Sequence, residues 1–382
     1  MKCGLRVALV GLGFGGSFAP IYRDHPDVEE VGLYDPDRAK MDLLSRTTGI
    51  SKIYKSFEEI LGDASLDAVH LVSPIPEHER QTIAVLKAGK HCACTVPMAT
   101  TIEGLKRIVQ EVRRSGKVYM MMETSVYTRN FFTAQRLLKE GVLGRVQFLR
   151  GCHYQDMRGW PDYWKGLPPM LYGTHALAPL RILAEAPFAQ VHCIGAGTMA
   201  QHLREYYGNP FPIESALLTF ANGKGAEATR TLFETARPYL EGFCVYGDRA
   251  SFESGFEDAS APWLAVAHER PANMRGCDFD VMRITPDNPT QGLPEEIRQY
   301  AMDGAFDPTN PQNNLKKGRR GGHHGSHPHM VHAFVRAIME DRKPWIDERM
   351  GANITAAGIL AHESAMRGGL NIKVPDFSED SI

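Results

Sequence analysis

Gly11-Leu-Gly13-Phe14-Gly-Gly16 follows the apolar run Leu5 to Val10 and precedes a helical stretch. Glycines at this spacing leave the backbone bare enough for a pyrophosphate to reach the free N–H groups of a helix start. Gly11 would permit the tight turn, Gly13 would admit the phosphates, and Gly16 would let the helix pack close to the strand. Asp35 closes the next apolar run about 20 residues beyond Gly16, the usual distance to a ribose-binding acid. A carboxylate there accepts from a 2′-hydroxyl and repels a 2′-phosphate, so the motif predicts NAD over NADP; Arg38 nearby weakens that preference. A second group with chemical potential is Tyr172-Gly-Thr174-His175. An imidazole titrates near neutrality, and a hydroxyl three residues earlier shares its face if the stretch is helical. A buried histidine and a tyrosine bonded to backbone is the other reading of the same residues.

These groups need a scaffold. From Leu5 to about Met122 short apolar runs alternate with helical stretches: strands are expected at Val31 to Tyr34, Ala68 to Val72, His91 to Thr95 and Val118 to Met121, and helices at Pro76 to Ala88 and Ile102 to Ser115. Alternating β and α units predict a doubly wound parallel sheet, the Rossmann arrangement. One amphipathic helix is expected over Ser125 to Glu140. Beyond Gly144 longer runs, Val146 to Gly151, Val191 to Gly197, Ala216 to Phe220, Gly225 to Phe233 and Gly242 to Tyr246, predict an α+β region on a large, mostly antiparallel sheet. Pro271 to Gly321 reads as a surface excursion. Helices at Pro328 to Glu340 and Gly351 to Arg367 close the chain. The expected domains are 1–124, binding the dinucleotide, and 125–382, binding substrate and pairing copies, with the 351–370 helix returning towards the first.

Composition excludes several classes. The chain has 382 residues, 43 Lys+Arg against 45 Asp+Glu, and a net charge of -2, which argues against nucleic-acid binding through phosphate neutralisation. A hydrophobic fraction of 43% suits a folded protein rather than a disordered one. No run is long enough to cross a bilayer and no leader is evident, so a cytoplasmic protein without membrane partners is expected. The 7 cysteines show no framework spacing and read as reduced thiols.

Further segments carry a resemblance: Ser73-Pro74-Ile-Pro76-Glu-His78, Ala88-Gly89-Lys90-His91 leading through Thr95-Val96-Pro97 to Met98-Ala99, and Gly141-Val-Leu-Gly144. With the glycine loop they are similar to the glucose–fructose oxidoreductase / inositol dehydrogenase (Gfo/Idh/MocA) family over nearly the whole chain. Typical members have Glu-Lys-Pro where this chain has Thr95-Val96-Pro97, and Asp-x-Gly-x-His where it has Leu171-Tyr172-Gly173-Thr174-His175. The lysine and the aspartate of the usual proton relay are both missing. Tyr172-x-Thr174-His175-x-Leu177-x-Pro179 instead resembles the family's NAD-dependent glycoside hydrolases, a branch including α-N-acetylgalactosaminidases and, more distantly, enzymes acting on sulfoquinovosides. Met122-Glu123 with Tyr127 and Arg129, Gln155-Asp156-Met-Arg158, Thr235-Ala-Arg237-Pro238-Tyr239 and Gly321-Gly-His323-His324-Gly325 agree with it.

The resemblance implies redox-neutral chemistry on a pyranoside, the substrate partner. C3 of the sugar is oxidised at the expense of NAD+, and the ketone acidifies the C2 proton. Its removal expels the C1 aglycone, water adds, and C3 is reduced again. His175 would serve the C3 hydroxyl and Tyr172 the C2 proton, provided positive charge lowers the tyrosine from its usual value of about 10. Arg158, Arg237 and His324 are candidates for that charge, and Glu123, Trp164 and His323 for further substrate contacts. Trp160, Tyr163 and Trp164 read equally as a sugar-stacking surface or a core corner. Cofactor contacts are expected from Gly11, Gly13, Phe14, Gly16, Asp35, Arg38, Ser73, Pro74, His78, Thr95 and Pro97. The histidines from His323 to His332 sit on a glycine-rich stretch without acids and predict sugar contacts, not a metal. Lys316 to Arg320 is a solvated turn or a contact to an anionic sugar. A net sugar dehydrogenase, or glycoside 3-oxidase, and a non-catalytic NAD-binding sensor are the alternatives. By resemblance a homodimer or homotetramer is expected.

Overall fold

In the first unit the expected alternation becomes six strands, β1 (Leu5–Val10), β2 (Val28–Tyr34), β3 (Lys52–Ile53), β4 (Ala68–Leu71), β5 (His91–Thr95) and β6 (Tyr119–Met122). They form one all-parallel sheet in the order β3-β2-β1-β4-β5-β6. Helices α1 (Ala19–Asp24), α2 (Arg38–Thr48), α3 (Phe57–Gly62), α4 (His78–Lys87) and α5 (Ile102–Ser115) connect them. Parallel strands covered by helices are apolar throughout, and Val7, Ala8 and Leu9 of β1 are fully buried. The computed structural model describes residues 4–258, 260–269, 272–301 and 323–377.

The first unit comprises residues 1–128, 289–352 and 377–382; the second comprises 129–288 and 353–376. The first boundary thus falls four residues beyond the expected one, and the chain from Pro289 onward leaves the second unit, which a single cut after residue 124 does not provide for. Within the first unit this return brings α10 (His327–Met339), after the short α9 (Glu295–Arg298).

A histidine pair fastens α10 beside α1. Asp27 N–H donates to Nδ1 of His25 at 3.1 Å, so the neutral ring carries its hydrogen on Nε2, 3.0 Å from Nδ1 of His332. Burial, and then His332, lowers His25 to about 4 from 6.5. The unfolded chain therefore takes up this proton at higher pH than the folded one, so the contribution to stability is complete above about pH 6.5 and declines as pH falls towards 4. Thermal melts are expected to fall over that window, and His25→Gln to flatten the dependence.

The second unit carries α6 (Arg129–Lys139), β7 (Val146–Tyr154), α7 (Thr174–Leu183), β8 (Phe188–Ala196), α8 (Gln201–Tyr207), β9 (Ile213–Phe220), β10 (Gly225–Thr231), β11 (Leu240–Gly247), β12 (Ala250–Glu253), β13 (Trp263–Ala267) and β14 (Phe279–Arg283). With β15 (Ile372–Lys373) they form a nine-stranded sheet in the order β14-β13-β12-β11-β7-β10-β9-β8-β15. All neighbours are antiparallel except β7 and β10. The last long helix, α11 (Glu348–Met366), begins in the first unit and continues in the second.

Two expected elements differ. The single helix over Ser125 to Glu140 is a 3-10 turn at Thr124–Tyr127 followed by α6. Glu123 caps the Ser125 N–H at 3.0 Å and the Thr128 hydroxyl donates to the Ser125 carbonyl at 3.1 Å; local side-chain bonds compete with the helical ladder there. The excursion from Pro271 holds β14, paired with β13, and residues 302–322 lie outside the described residues.

Candidate active site

In the first unit the glycine loop leads from β1 into a 3-10 turn at Gly15–Phe18 and then α1. Gly11 has φ +88°, and a Cβ there would stand 2.4 Å from the Val72 carbonyl oxygen, so only glycine fits. A Cβ on Gly13 would meet nothing within 4 Å, leaving the open backbone a pyrophosphate needs. The close packing expected at Gly16 occurs one residue earlier. A Cβ on Gly15 would lie 3.0 Å from Val72, whereas on Gly16 it meets only Leu44 at 3.7 Å, because the first turn is 3-10 and rotates Gly15 towards β4.

Asp35 is buried, and its two oxygens accept from the N–H groups of Leu12 at 2.7 Å and Asp37 at 2.9 Å. These bonds aim the carboxylate at the loop. Lys40 lies 3.7 Å from Asp35, while Arg38 donates to Asp42 at 2.9 Å. Asp35→Asn is expected to weaken NADH binding about tenfold, as loss of a charged acceptor does, and to strengthen NADPH binding. Fluorescence titration of both nucleotides reads this.

His78 has both ring nitrogens on carbonyls, Pro97 O at 2.7 Å and Ser73 O at 2.9 Å, and burial lowers its pKa. It fastens the segment carrying Ser73 and Pro74 to the one carrying Thr95 and Pro97. The Ser73 hydroxyl donates to Gln81 and that of Thr95 to the Leu71 carbonyl. Phe14 packs edge-to-face on His323 and His327 at 5.7 and 5.3 Å between ring centres. His323 Nδ1 is 3.1 Å from the Thr124 hydroxyl, which sets this substrate candidate next to the glycine loop. The His324 side chain and the run Lys316 to Arg320 lie outside the described residues.

In the second unit one line of cross-strand neighbours builds a second candidate site. Register places Arg230 of β10 and Glu241 of β11 on either side of His153 of β7. The buried His175, in the first turn of α7, and the partly buried Tyr172, in the 3-10 turn before it, complete the cluster. The Tyr172 hydroxyl is 3.3 Å from His175 Nε2. Nε2 of His153 and of His175 lie 3.8 and 3.9 Å from Glu241 Oε1, with all three side chains at most 3% exposed. The Tyr239 hydroxyl donates to the same carboxylate. Burial, reinforced by the Glu241 charge, raises that hydroxyl well above its usual range, so it remains a donor.

Arg230 supplies the positive charge, its guanidinium 5.6 Å from the centre of the Tyr172 ring. It donates to the carbonyls of His153 and Thr231 and to Gln155. Burial lowers it to about 10, against the pull of Tyr172, Tyr239 and Glu241. The residues expected in this role lie otherwise. Arg158 is exposed and paired with Asp156. Arg237 donates to the Phe256 carbonyl and stacks at 3.7 Å on that ring and at 5.0 Å on Tyr154. Trp164 is buried edge-to-face on Tyr172 at 4.7 Å, with Trp160 and Tyr163 partly exposed against it. Trp164 Nε1, Arg230 Nε and Thr174 Oγ1 are buried without a hydrogen-bond partner among the described residues. Val96 and Leu171, where the family's lysine and aspartate would stand, are buried apolar positions at 6% and 7% exposure.

His153, Arg230, Tyr239 and Glu241 escaped sequence reasoning. A signal existed in the period-two pattern: Ala226, Ala228 and Arg230 alternate as buried residues, as do Leu149, Gly151 and His153, and a charge on the inward face of a strand is costly without a partner.

The family described as oxidoreductase family, NAD-binding Rossmann fold (GFO_IDH_MocA) matches residues 5–123. That stretch is a Gfo/Idh/MocA NAD-binding domain, and the chain carries it on the α/β fold of that class. Over 98% of its length the chain is 24% identical to a glycosyl hydrolase family 109 protein of Stenotrophomonas maltophilia (strain K279a), 89% of which is covered. A 1-carboxy-3-chloro-3,4-dihydroxycyclo hexa-1,5-diene dehydrogenase of Comamonas testosteroni is 25% identical, with 59% of this chain and 57% of that one aligned. The fold is that of a levoglucosan dehydrogenase solved with NADH and levoglucosan, at a TM-score of 0.76, 19% identity, and 98% and 100% coverage of the two chains. Among the described residues no helix is long and apolar enough to cross a membrane.

Proposed function

We propose that this chain is an NAD-dependent glycosidase that cleaves a pyranoside by transient oxidation at C3, leaving the cofactor unchanged after each turnover. The observation that carries the reading is the group of Tyr172 with the buried His175, His153 and Glu241 side chains, acid–base chemistry of this chain's own where the lysine and aspartate of the resembled family are gone. NAD+, held by the glycine loop and Asp35, supplies a reversible acceptor for the C3 hydride. His175 takes the proton of the C3 hydroxyl. Tyr172 removes the C2 proton once C3 is a ketone and the C1 aglycone departs by elimination; water then adds at C1, the proton returns to C2, and the hydride goes back to C3. Arg230, beside the phenol ring, favours negative charge on the Tyr172 oxygen. Trp164 Nε1, Thr174 Oγ1 and Arg230 Nε are donors for sugar oxygens, since buried polar hydrogens seek acceptors.

The test is a chromogenic pyranoside panel incubated with the protein in D2O. Aglycone release without net NADH, and deuterium at C2 of the released sugar, is the expected result. Stoichiometric NADH with the glycosidic bond intact would establish a sugar dehydrogenase instead. Neither signal across the panel would leave a nucleotide-binding sensor.

A further inference from the structure

We infer that His153, His175 and Glu241 form a binding site for one divalent transition-metal ion, with zinc the ion the donors suit best. One ligand atom from each residue lies within 4.8 Å of the other two. The His–carboxylate separations of 3.8 and 3.9 Å are too long for direct hydrogen bonds. They are close to what an interposed ion requires: atoms so separated share a centre roughly 2.5 Å from each, a few tenths of an ångström beyond ordinary zinc–ligand lengths. Two imidazoles and one carboxylate, with a position left open, is a ligand set used by catalytic zinc, and imidazole favours zinc over magnesium or calcium.

The surroundings complete the case. The Tyr239 hydroxyl donates to Glu241, the kind of outer hydrogen bond that orients a ligating carboxylate. His153 and Glu241 are held by strand register, and His175 by the first turn of α7, so the donors stand on regular elements. Arg230 opposes a cation by its charge, but two of its guanidinium nitrogens are committed to His153 O, Thr231 O and Gln155, and Glu241 offsets part of the ion's charge.

The open position beside the Tyr172 hydroxyl would take an oxygen ligand, a sugar hydroxyl in the proposed reaction. This inference rests on that reading only for the identity of the ligand, and it changes one role: a cation on His175 Nε2 replaces the proton that atom would otherwise accept, and acidifies the hydroxyl directly.

The experiment uses the full chain, stripped with a chelator and titrated with ZnCl2 against a chromophoric chelator, without sugar. One zinc per chain is expected, weakened about 100-fold or more by Glu241→Gln and by His153→Gln. CoCl2 added to the unaltered protein is expected to give the intense visible bands of a four- or five-coordinate site, a readout independent of how well the variants fold. No stoichiometric zinc, weak octahedral cobalt bands, or binding that survives both substitutions would overturn the site. Glycoside cleavage is not read, so failure here and failure of the proposed reaction are separate outcomes.

Discussion

Tyr172→Phe is expected to lower aglycone release by about 10²- to 10⁴-fold, the usual worth of a positioned acid or base, while leaving the first half-reaction in place. The substitution removes one oxygen. It keeps the ring against Trp164 at 4.7 Å and beneath the Arg230 guanidinium, so packing is preserved. What is lost is the group assigned to the C2 proton and the 3.3 Å contact to His175 Nε2. C3 oxidation does not need that group. Rapid mixing of the NAD+-loaded variant with a chromogenic pyranoside should therefore show reduced nicotinamide accumulating to about one equivalent per chain, with little aglycone released. Full-rate cleavage would remove Tyr172 from the chemistry, and loss of the nicotinamide signal as well would move its role to the oxidation step. A melt within a few degrees of the unaltered protein would show that the fold is intact.

Gly151→Ala should damage both the stability of the second unit and the chemistry proposed for it. A Cβ at that position of β7 would stand 2.1 Å from the Ala176 carbonyl oxygen and 3.0 Å from its carbonyl carbon. Both atoms are backbone of α7, so no side chain can swing aside and the helix itself must retreat. Overpacking of this kind costs about 1–3 kcal/mol, sometimes more. His175 precedes Ala176 directly, so the retreat also draws the imidazole away from His153 and Glu241. A shift of about 1 Å in a catalytic group is worth roughly 10²-fold in rate. The expected outcome is a melt lowered by several degrees and turnover reduced about a hundredfold, with NADH affinity, which resides in the first unit, unchanged. Equal activity in both proteins would show that the placement of α7 does not control the chemistry.

Much of the first unit was legible in the sequence because its signals are local. Helix α5 was expected over Ile102 to Ser115 and is found there, with a Thr101 cap on Gly104 and Gly116 in a left-handed turn. Gly11, Gly13 and Asp35 announce themselves by spacing. The break at Thr128 was not legible, because the apolar periodicity runs through it while two polar side chains, Glu123 and Thr128, bond the backbone there. The exchange of Gly16 for Gly15 has the same origin: spacing tells that a helix starts near, not whether its first turn is α or 3-10.

For the proposed catalytic group, Tyr172 and His175 were readable because they are three residues apart. Their partners are not neighbours in the chain. His153, Arg230 and Glu241 meet only when β7 pairs with β10 on one side and β11 on the other, and a one-residue slip in either pairing would send the side chain to the opposite face. The positive charge therefore comes from Arg230 and not from Arg158 or Arg237, whose own neighbours, Asp156 and the Phe256 carbonyl, hold them elsewhere.

The sequence by itself determined the nucleotide half of this protein: a turn, a helix start and an acid at fixed spacing are short-range properties that glycine's missing side chain and one carboxylate impose. Only the tertiary structure decided what surrounds His175. Sheet register is set by long-range pairing, which joins one acid, one guanidinium and one imidazole from three strands, and α7 adds the second imidazole, His175.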